Sequence, residues 1–270
     1  MNVVTFPALN LQFEFSKVAF SILGLPVYKY AVCIVIGIVV ALILAKLSKE
    51  KFGIDFQDVL ICAIIGIIFG TIGARLYYVL FNLDYYSKNI LEIFDLQSGG
   101  LAIYGGLILG GLAIWFYCKK KKIDYLDFFD YIVPFVALAQ CFGRWGNFFN
   151  VEAYGVETPF FLRMGITTIQ GYMEVHPVFL YESIANLVIF VLLKIAQKQR
   201  KFKGQIFVYY GALYSGVRFF LETLRTDSLM IFNYRASQLL SALILVLSVL
   251  YLYYRKKVQK PANENETENK

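Results

Sequence analysis

The chain has 270 residues, of which 59% are hydrophobic and 17% charged, with a mean hydropathy of +0.60. A soluble globular chain is about 45–50% apolar and about 25% charged, and it needs a polar surface to stay in water. The composition excludes a disordered chain, a collagen, a soluble nucleic-acid-binding domain and a disulfide-stapled secreted module. It points to an integral membrane protein with several spanning helices. The formal net charge is +7, yet the basic residues cluster between apolar runs, as orientation signals do in membrane proteins.

Residues 1–20 lack the basic start and compact apolar stretch of a cleavable signal peptide. Residues 9–18 alternate apolar and polar, which predicts an interfacial strand or a segment lying on the bilayer surface. Seven apolar segments of roughly membrane length follow, near Tyr30–Leu47, Val59–Phe81, Leu101–Cys118, Phe128–Phe142, Val178–Ile195, Ile206–Leu224 and Ala236–Tyr254. The fourth is the weakest. Its apolar core, Tyr131–Phe142, is short, holds Pro134 and follows Asp127 and Asp130. It reads as kinked, or as continuing into the polar motif that follows. Residues 143–177 read as a long loop on the outward side, of the kind that carries function.

Basic residues set the direction. Lys46, Lys49 and Lys51, then Lys119–Lys122, then Lys194, Lys198, Arg200, Lys201 and Lys203, then Arg255, Lys256 and Lys257 occupy alternate connections. Positive-inside reasoning places these in the cytoplasm. The N-terminus is then outside and the C-terminus cytoplasmic, which requires an odd number of spans. The expected fold is an all-α polytopic membrane protein of about seven helices, with residues 1–254 as one membrane domain and residues 255–270 as a polar, disordered cytoplasmic tail.

Cys33, Cys62, Cys118 and Cys141 lie in or at the ends of apolar runs and read as inert core residues. No CxxC or Cys/His metal spacing occurs, and His176 is the single histidine. The chain has no Walker loop, Rossmann glycine pattern, HExxH or GxSxG. Gly66/Gly70 and Gly106/Gly110 are spaced for close helix packing.

Several polar residues stand where an apolar chain should not keep them. Gly143-Arg-Trp-Gly-Asn-Phe-Phe-Asn-Val-Glu-Ala-Tyr-Gly155 follows directly on a membrane run. A helix there places Arg144 and Asn147 on one face, while Gly143 and Gly146 let a ligand or another backbone approach. Together with Asn150 and Glu152 this cluster suits a lipid head group, the guanidinium holding phosphate oxygens. A snorkelling arginine with a polar helix cap is the other reading. In the sixth span Arg218 and Glu222 are four residues apart and share a face with Tyr214. An arginine at a span's centre costs about 2.5–3.5 kcal/mol, so this pair is a candidate for function, or else an ion pair joining helices. Arg75 in the second span pairs with an acid such as Asp84 or Glu152, or binds a ligand. His176-Pro177 reads as a helix start.

At these residues the chain resembles the bacterial prolipoprotein diacylglyceryl transferases. GRWGNFFNVEAYG at 143–155 is similar to the family signature, and HPVFLYES at 176–183 to its His-Pro-x-x-Leu-Tyr-Glu block. GARLYYVL at 73–80 and SGGLAIYGGLILG at 98–110 resemble two more blocks, and Arg218, Glu222 and Tyr214 fall where the family keeps an Arg/Glu pair and a tyrosine. The similarity runs in order from about Tyr30 to Asp227.

The resemblance implies a cofactor-free transferase of the bacterial plasma membrane, with its active site facing outward. It would move the diacylglyceryl group of phosphatidylglycerol to the lipobox cysteine of an exported prolipoprotein, and a glycerol phosphate would leave. Its partners would be that lipid, prolipoprotein signal peptides and the bilayer, with no nucleic acid. The implied catalytic residues are Arg218, Glu222, Tyr104 and Tyr214, and the implied substrate-binding residues are Arg144, Asn147, Asn150, Glu152 and Arg75. One departure stands out: many members carry a histidine where this chain has Tyr104. A phenol, with pKa about 10, is a poorer base near neutrality than an imidazole at about 6.5, so Tyr104 either positions substrate or relays a proton. A transporter or flippase for an anionic substrate is the alternative, since intramembrane charges suit that as well.

Overall fold

The computed structural model describes residues 2–96, 99–168, 171–228, 230–231 and 234–267. Ser98, which opens one of the family-like blocks, and residues 268–270 of the tail lie outside the described residues. In chain order the elements are β1 (Asn2–Phe6), β2 (Leu11–Phe15), β3 (Val18–Ile22), β4 (Leu25–Tyr28), α1 (Lys29–Leu47), α2 (Phe56–Leu80), the short α3 (Leu83–Tyr86), α4 (Ile103–Lys121) and α5 (Tyr125–Asn150). They continue with β5 (Met164–Thr168), β6 (Gly171–Val175), α6 (Val178–Gln197), α7 (Gln205–Glu222), β7 (Met230–Ile231), β8 (Tyr234–Arg235) and α8 (Ala236–Thr267).

A long helix falls on each of the seven predicted segments. Five of them, Lys29–Leu47, Phe56–Leu80, Tyr125–Asn150, Val178–Gln197 and Ala236–Val258, are long and apolar enough to cross a membrane. Their apolar side chains are widely exposed, from Val35 and Ile43 in α1 to Leu247 and Leu250 in α8. A chain of this kind solves the backbone's hydrogen-bonding problem in lipid by being helical. The fold is that of a polytopic membrane protein.

Two expectations need correction. The chain is not all-α, because the N-terminus and the 143–177 connection are built from strands. An antiparallel four-stranded sheet has the order β2-β1-β5-β6, with Val4 opposite Ile166 and Thr5 opposite Gly165. Alternation explains its burial: Val4 and Phe6 of β1 face in, as do Phe15, Met164, Ile166 and Val175. The predicted interfacial segment at 9–18 thus becomes β2 and the start of a second hairpin, β3–β4, whose tip residues Ile22, Leu23 and Leu25 are exposed.

The second correction concerns the long loop. Helix α5 does not stop at the membrane run, which is the second of the two readings offered for the fourth segment. It continues through the GRWGNFFN motif to Asn150, with Pro134 inside it. Gly146 serves a close approach, though to a side chain rather than to a ligand or backbone: a Cβ there would lie 2.5 Å from the Tyr30 ring of α1. The extended helix carries Phe148 under the sheet, where it packs with Phe15 and Phe179. Each such fully buried aromatic contributes about 1.5–3 kcal/mol.

The chain divides into two compact units, residues 1–47 with 133–270, and residues 48–132. In the second unit α2 and α4 pack backbone to backbone. The predicted glycine pairs meet there: a Cβ on Gly106 would lie 3.0 Å from the Gly70 carbonyl oxygen, and one on Gly110 3.4 Å from that of Gly66. The tightest approach is one turn away, where Gly73 and Gly105 each leave no room for a side chain. Small residues that let backbones touch are how helices associate in lipid. All four cysteines are free.

Candidate active site

The site lies in the first unit and is assembled from stripes on three helices. On α7, Tyr210, Tyr214, Arg218 and Glu222 recur every four residues and form one face. On α5, Gln140 and Arg144 do the same. Helix α6 begins just after Pro177, as the His-Pro pair predicts, and brings Glu182 into the helix's second turn. Ser183 fixes α6 to α5 by donating to the Cys141 carbonyl at 3.0 Å.

Glu182 is the meeting point. Its Oε2 lies 2.8 Å from Arg144 Nε, and its Oε1 lies 2.7 Å from Arg218 Nη1. Arg218 turns its other nitrogen, Nη2, to Glu222 Oε2 at 2.6 Å. Arg144 reaches Tyr214 Oη with Nη2 at 3.5 Å. Tyr214 stacks on Tyr210, whose hydroxyl donates to Gln140 Oε1 at 3.0 Å, closing the stripe of α7 onto α5. Among the expected residues, Arg144, Tyr214, Arg218 and Glu222 are thus brought together. Both carboxylates are buried, while the Arg144 and Arg218 side chains keep 22% and 18% exposure. The guanidiniums, not the acids, face the outside of the cluster.

Two further arginines complete it. Arg225 forks onto Asp227, with Nη2 at 2.7 Å and Nε at 2.9 Å, and lies 3.9 Å from Glu182. Arg235 of β8 donates to the Glu222 carbonyl. Among the described residues that make these contacts, four guanidiniums stand against three carboxylates. Backbone pairing holds Arg225 in place. Gly155 N–H donates to the His176 carbonyl at 2.9 Å and Val156 N–H to that of Leu224 at 2.8 Å, so the end of the signature motif, the start of α6 and the exit of α7 are knotted together. Burial pushes the His176 imidazole below its ordinary value; its Nδ1 lies 3.2 Å from Tyr181 Oη.

Asn147, Asn150 and Glu152 form a second polar group at the end of α5. Asn147 donates to Glu152 Oε1 at 2.9 Å and Asn150 to the same oxygen at 3.2 Å. Val151 and Ala153 make this possible by adopting φ of 52° and 55°, a left-handed turn that is strained for a β-branched valine. Strain of this kind clusters at functional sites.

Arg75 and Tyr104 belong to the second unit. Among the described residues of its own unit, Arg75 turns to backbone rather than to Asp84. Its guanidinium is buried and donates to four backbone carbonyls: Ile93 at 2.8 Å, Gly99 at 2.7 Å, Gly100 at 3.2 Å and Glu92. It organises the segment between α3 and α4, which accounts for its burial without a ligand. Tyr104 sits in the first turn of α4, and among the described residues its hydroxyl has no hydrogen-bond partner.

Sequence reasoning took Glu182 for part of a helix start and passed over Arg225, Arg235 and Tyr30. The ring of Tyr30 covers Gly146, within electrostatic range of Glu152 and Arg144. An acid one turn into a helix that opens with His-Pro was the available signal. Among the described residues no group of three His, Cys, Asp or Glu side chains forms a metal site.

Comparison with known proteins bears on the same residues. The family profile described as prolipoprotein diacylglyceryl transferase matches residues 17–254. The chain is 45% identical over 247 residues to the phosphatidylglycerol–prolipoprotein diacylglyceryl transferase of Finegoldia magna, covering 90% of this chain and 98% of that one. It is 43% identical to the protein of that name from Clostridioides difficile, covering 90% and 97%, and 41% identical to that from Enterococcus faecalis, covering 90% and 92%. The profile takes in every member of the arginine cluster and the strained turn beside it, and the chain belongs to the prolipoprotein diacylglyceryl transferase family.

Proposed function

We propose that this protein transfers the diacylglyceryl group of phosphatidylglycerol to the lipobox cysteine thiol of exported prolipoproteins. Sulfur attacks the glyceryl carbon that bears the phosphate ester. A C–S bond forms, the C–O bond breaks, and the electron pair leaves with the phosphate oxygen as glycerol phosphate. The observation that carries this reading is the Arg144–Glu182–Arg218 bridge, two partly exposed guanidiniums held on one buried carboxylate, set among helices apolar enough for a bilayer.

Each group has a task in that reaction. The leaving phosphate gains charge as the C–O bond breaks, and preorganised guanidiniums aimed at it stabilise the transition state more than the ground state. Arg144 grips the phosphate, Arg218 meets the growing charge, and Glu222 holds Arg218 from the next turn of its own helix. Nearby arginines lower a thiol's pKa from about 8.5, so the sulfur attacks as thiolate. Asn147, Asn150 and Glu152 offer amide donors and a carboxylate acceptor suited to the hydroxyls of the glycerol head group.

Seven spans with the N-terminus outside and the site facing outward fit the same reading. The basic clusters fall at the C-terminal ends of α1, α4 and α6 and beyond the apolar part of α8. The test uses purified protein in detergent with phosphatidylglycerol and a lipobox peptide. An increase in peptide mass by one diacylglyceryl group is expected. Lipid and peptide that remain unmodified would favour the transporter reading instead.

A further inference from the structure

Glu182 is unusual among the acids of the cluster in how it divides its oxygens. Glu222 serves one guanidinium from the same helix, four residues away. Glu182 gives one oxygen to Arg144 on α5 and the other to Arg218 on α7, with Arg225 3.9 Å from the second. It is the more deeply buried partner in each contact. One oxygen per guanidinium is also the pattern that the two non-bridging oxygens of a phosphodiester would make between the same arginines. The anion position that the proposed reaction needs is occupied by the protein's own carboxylate.

We propose that Glu182 is a resident anion, a positioning residue that holds Arg144 and Arg218 in register and gives them up to the lipid phosphate. The remaining contacts allow this exchange. Arg218 keeps Glu222 on Nη2 when Nη1 is released, and Arg144 keeps Tyr214 on Nη2 when Nε is released. Both arginines therefore stay anchored while the anion between them changes. Without a carboxylate there, three guanidiniums would face one another with no charge between them, a costly arrangement in a poorly solvated site. With it, the lipid binds only by displacing it. Affinity for lipid is then a difference between two anions competing for the same donors.

This inference rests on the diacylglyceryl-transfer reading and has its own test. Glu182→Gln keeps the shape and removes the charge, so the competitor weakens. The KM for phosphatidylglycerol should fall about tenfold, the loss of one charge-assisted hydrogen bond's worth of competition. The kcat should fall as well, because the arginines lose their spacer. A purely structural glutamate predicts the opposite split, with KM raised or unchanged. Should the glutamine variant fail to fold, Glu182→Asp carries the test. Its shorter arm reaches one guanidinium at a time, and KM should again fall, by less. An unchanged or raised KM in the folded variant overturns the inference while leaving the reaction intact. Absence of transfer by the unaltered protein overturns the reading beneath it.

Discussion

Arg144 Nε and Glu182 Oε2 lie 2.8 Å apart and tie the end of α5 to the start of α6. The same arginine offers Nη2 to Tyr214 on α7. One planar group thus spans three helices, and only a guanidinium has donors at the necessary angles. Lysine in place of Arg144 or Arg218 keeps the charge and loses the fork. Transfer of diacylglyceryl to a lipobox peptide should fall by about 10²–10³-fold in kcat/KM for either lysine variant, and to background for either alanine variant. Full activity of both lysine variants would mean that charge alone suffices there.

How far the site was legible in the sequence depended on distance along the chain. Tyr214, Arg218 and Glu222 share a helix face, so four-residue spacing revealed them, and Arg144 with Asn147 was visible for the same reason. Glu182 had no such signal, because Arg218 is 36 residues away on another helix. Only packing brings them together. The strands hid in the same way. Val4 pairs with Ile166 across most of the chain, and nothing local in a five-residue segment names its partner. Glycine was partly informative in the signature motif. Gly146 allows the close approach its type suggests, but the group that takes the space is the Tyr30 ring, 116 residues earlier, rather than a ligand or backbone.

Gly155 is fixed by backbone on two sides. A Cβ there would lie 2.7 Å from His176 Cβ and 3.0 Å from the Leu224 carbonyl oxygen. Neither neighbour is the free end of a flexible chain. Gly155→Ala must therefore part the segment that pairs with Arg225, at a cost of about 1–3 kcal/mol. Thermal unfolding in detergent should begin at a lower temperature, and transfer should drop because Arg225 moves away from Glu182. Gly216→Ala in α7, with open space around the new methyl, should leave the midpoint unchanged or raise it, since alanine favours helix over glycine by about 1 kcal/mol. Equal behaviour of the two variants would show that the knot at Gly155 does not hold the site.

His176 predicts an acid sensitivity with a definite sign. Burial lowers its folded-state pKa, and the imidazole is half-buried beside Tyr181. In the unfolded chain the same group titrates near 6.5. Between the folded value and 6.5 the unfolded chain holds more protons than the folded one, so stability rises with pH in that window. The contribution is complete above about 6.5 and is lost as the pH falls through the folded value. His176→Gln places a neutral amide beside Tyr181 and removes the titration. The thermal midpoint of the unaltered protein should therefore fall more steeply between about pH 7.5 and 5.5 than that of the variant. The carboxylates titrate in both proteins, so the difference between the two curves isolates the imidazole. Parallel curves would show that His176 protonates in the folded protein as readily as in the unfolded chain.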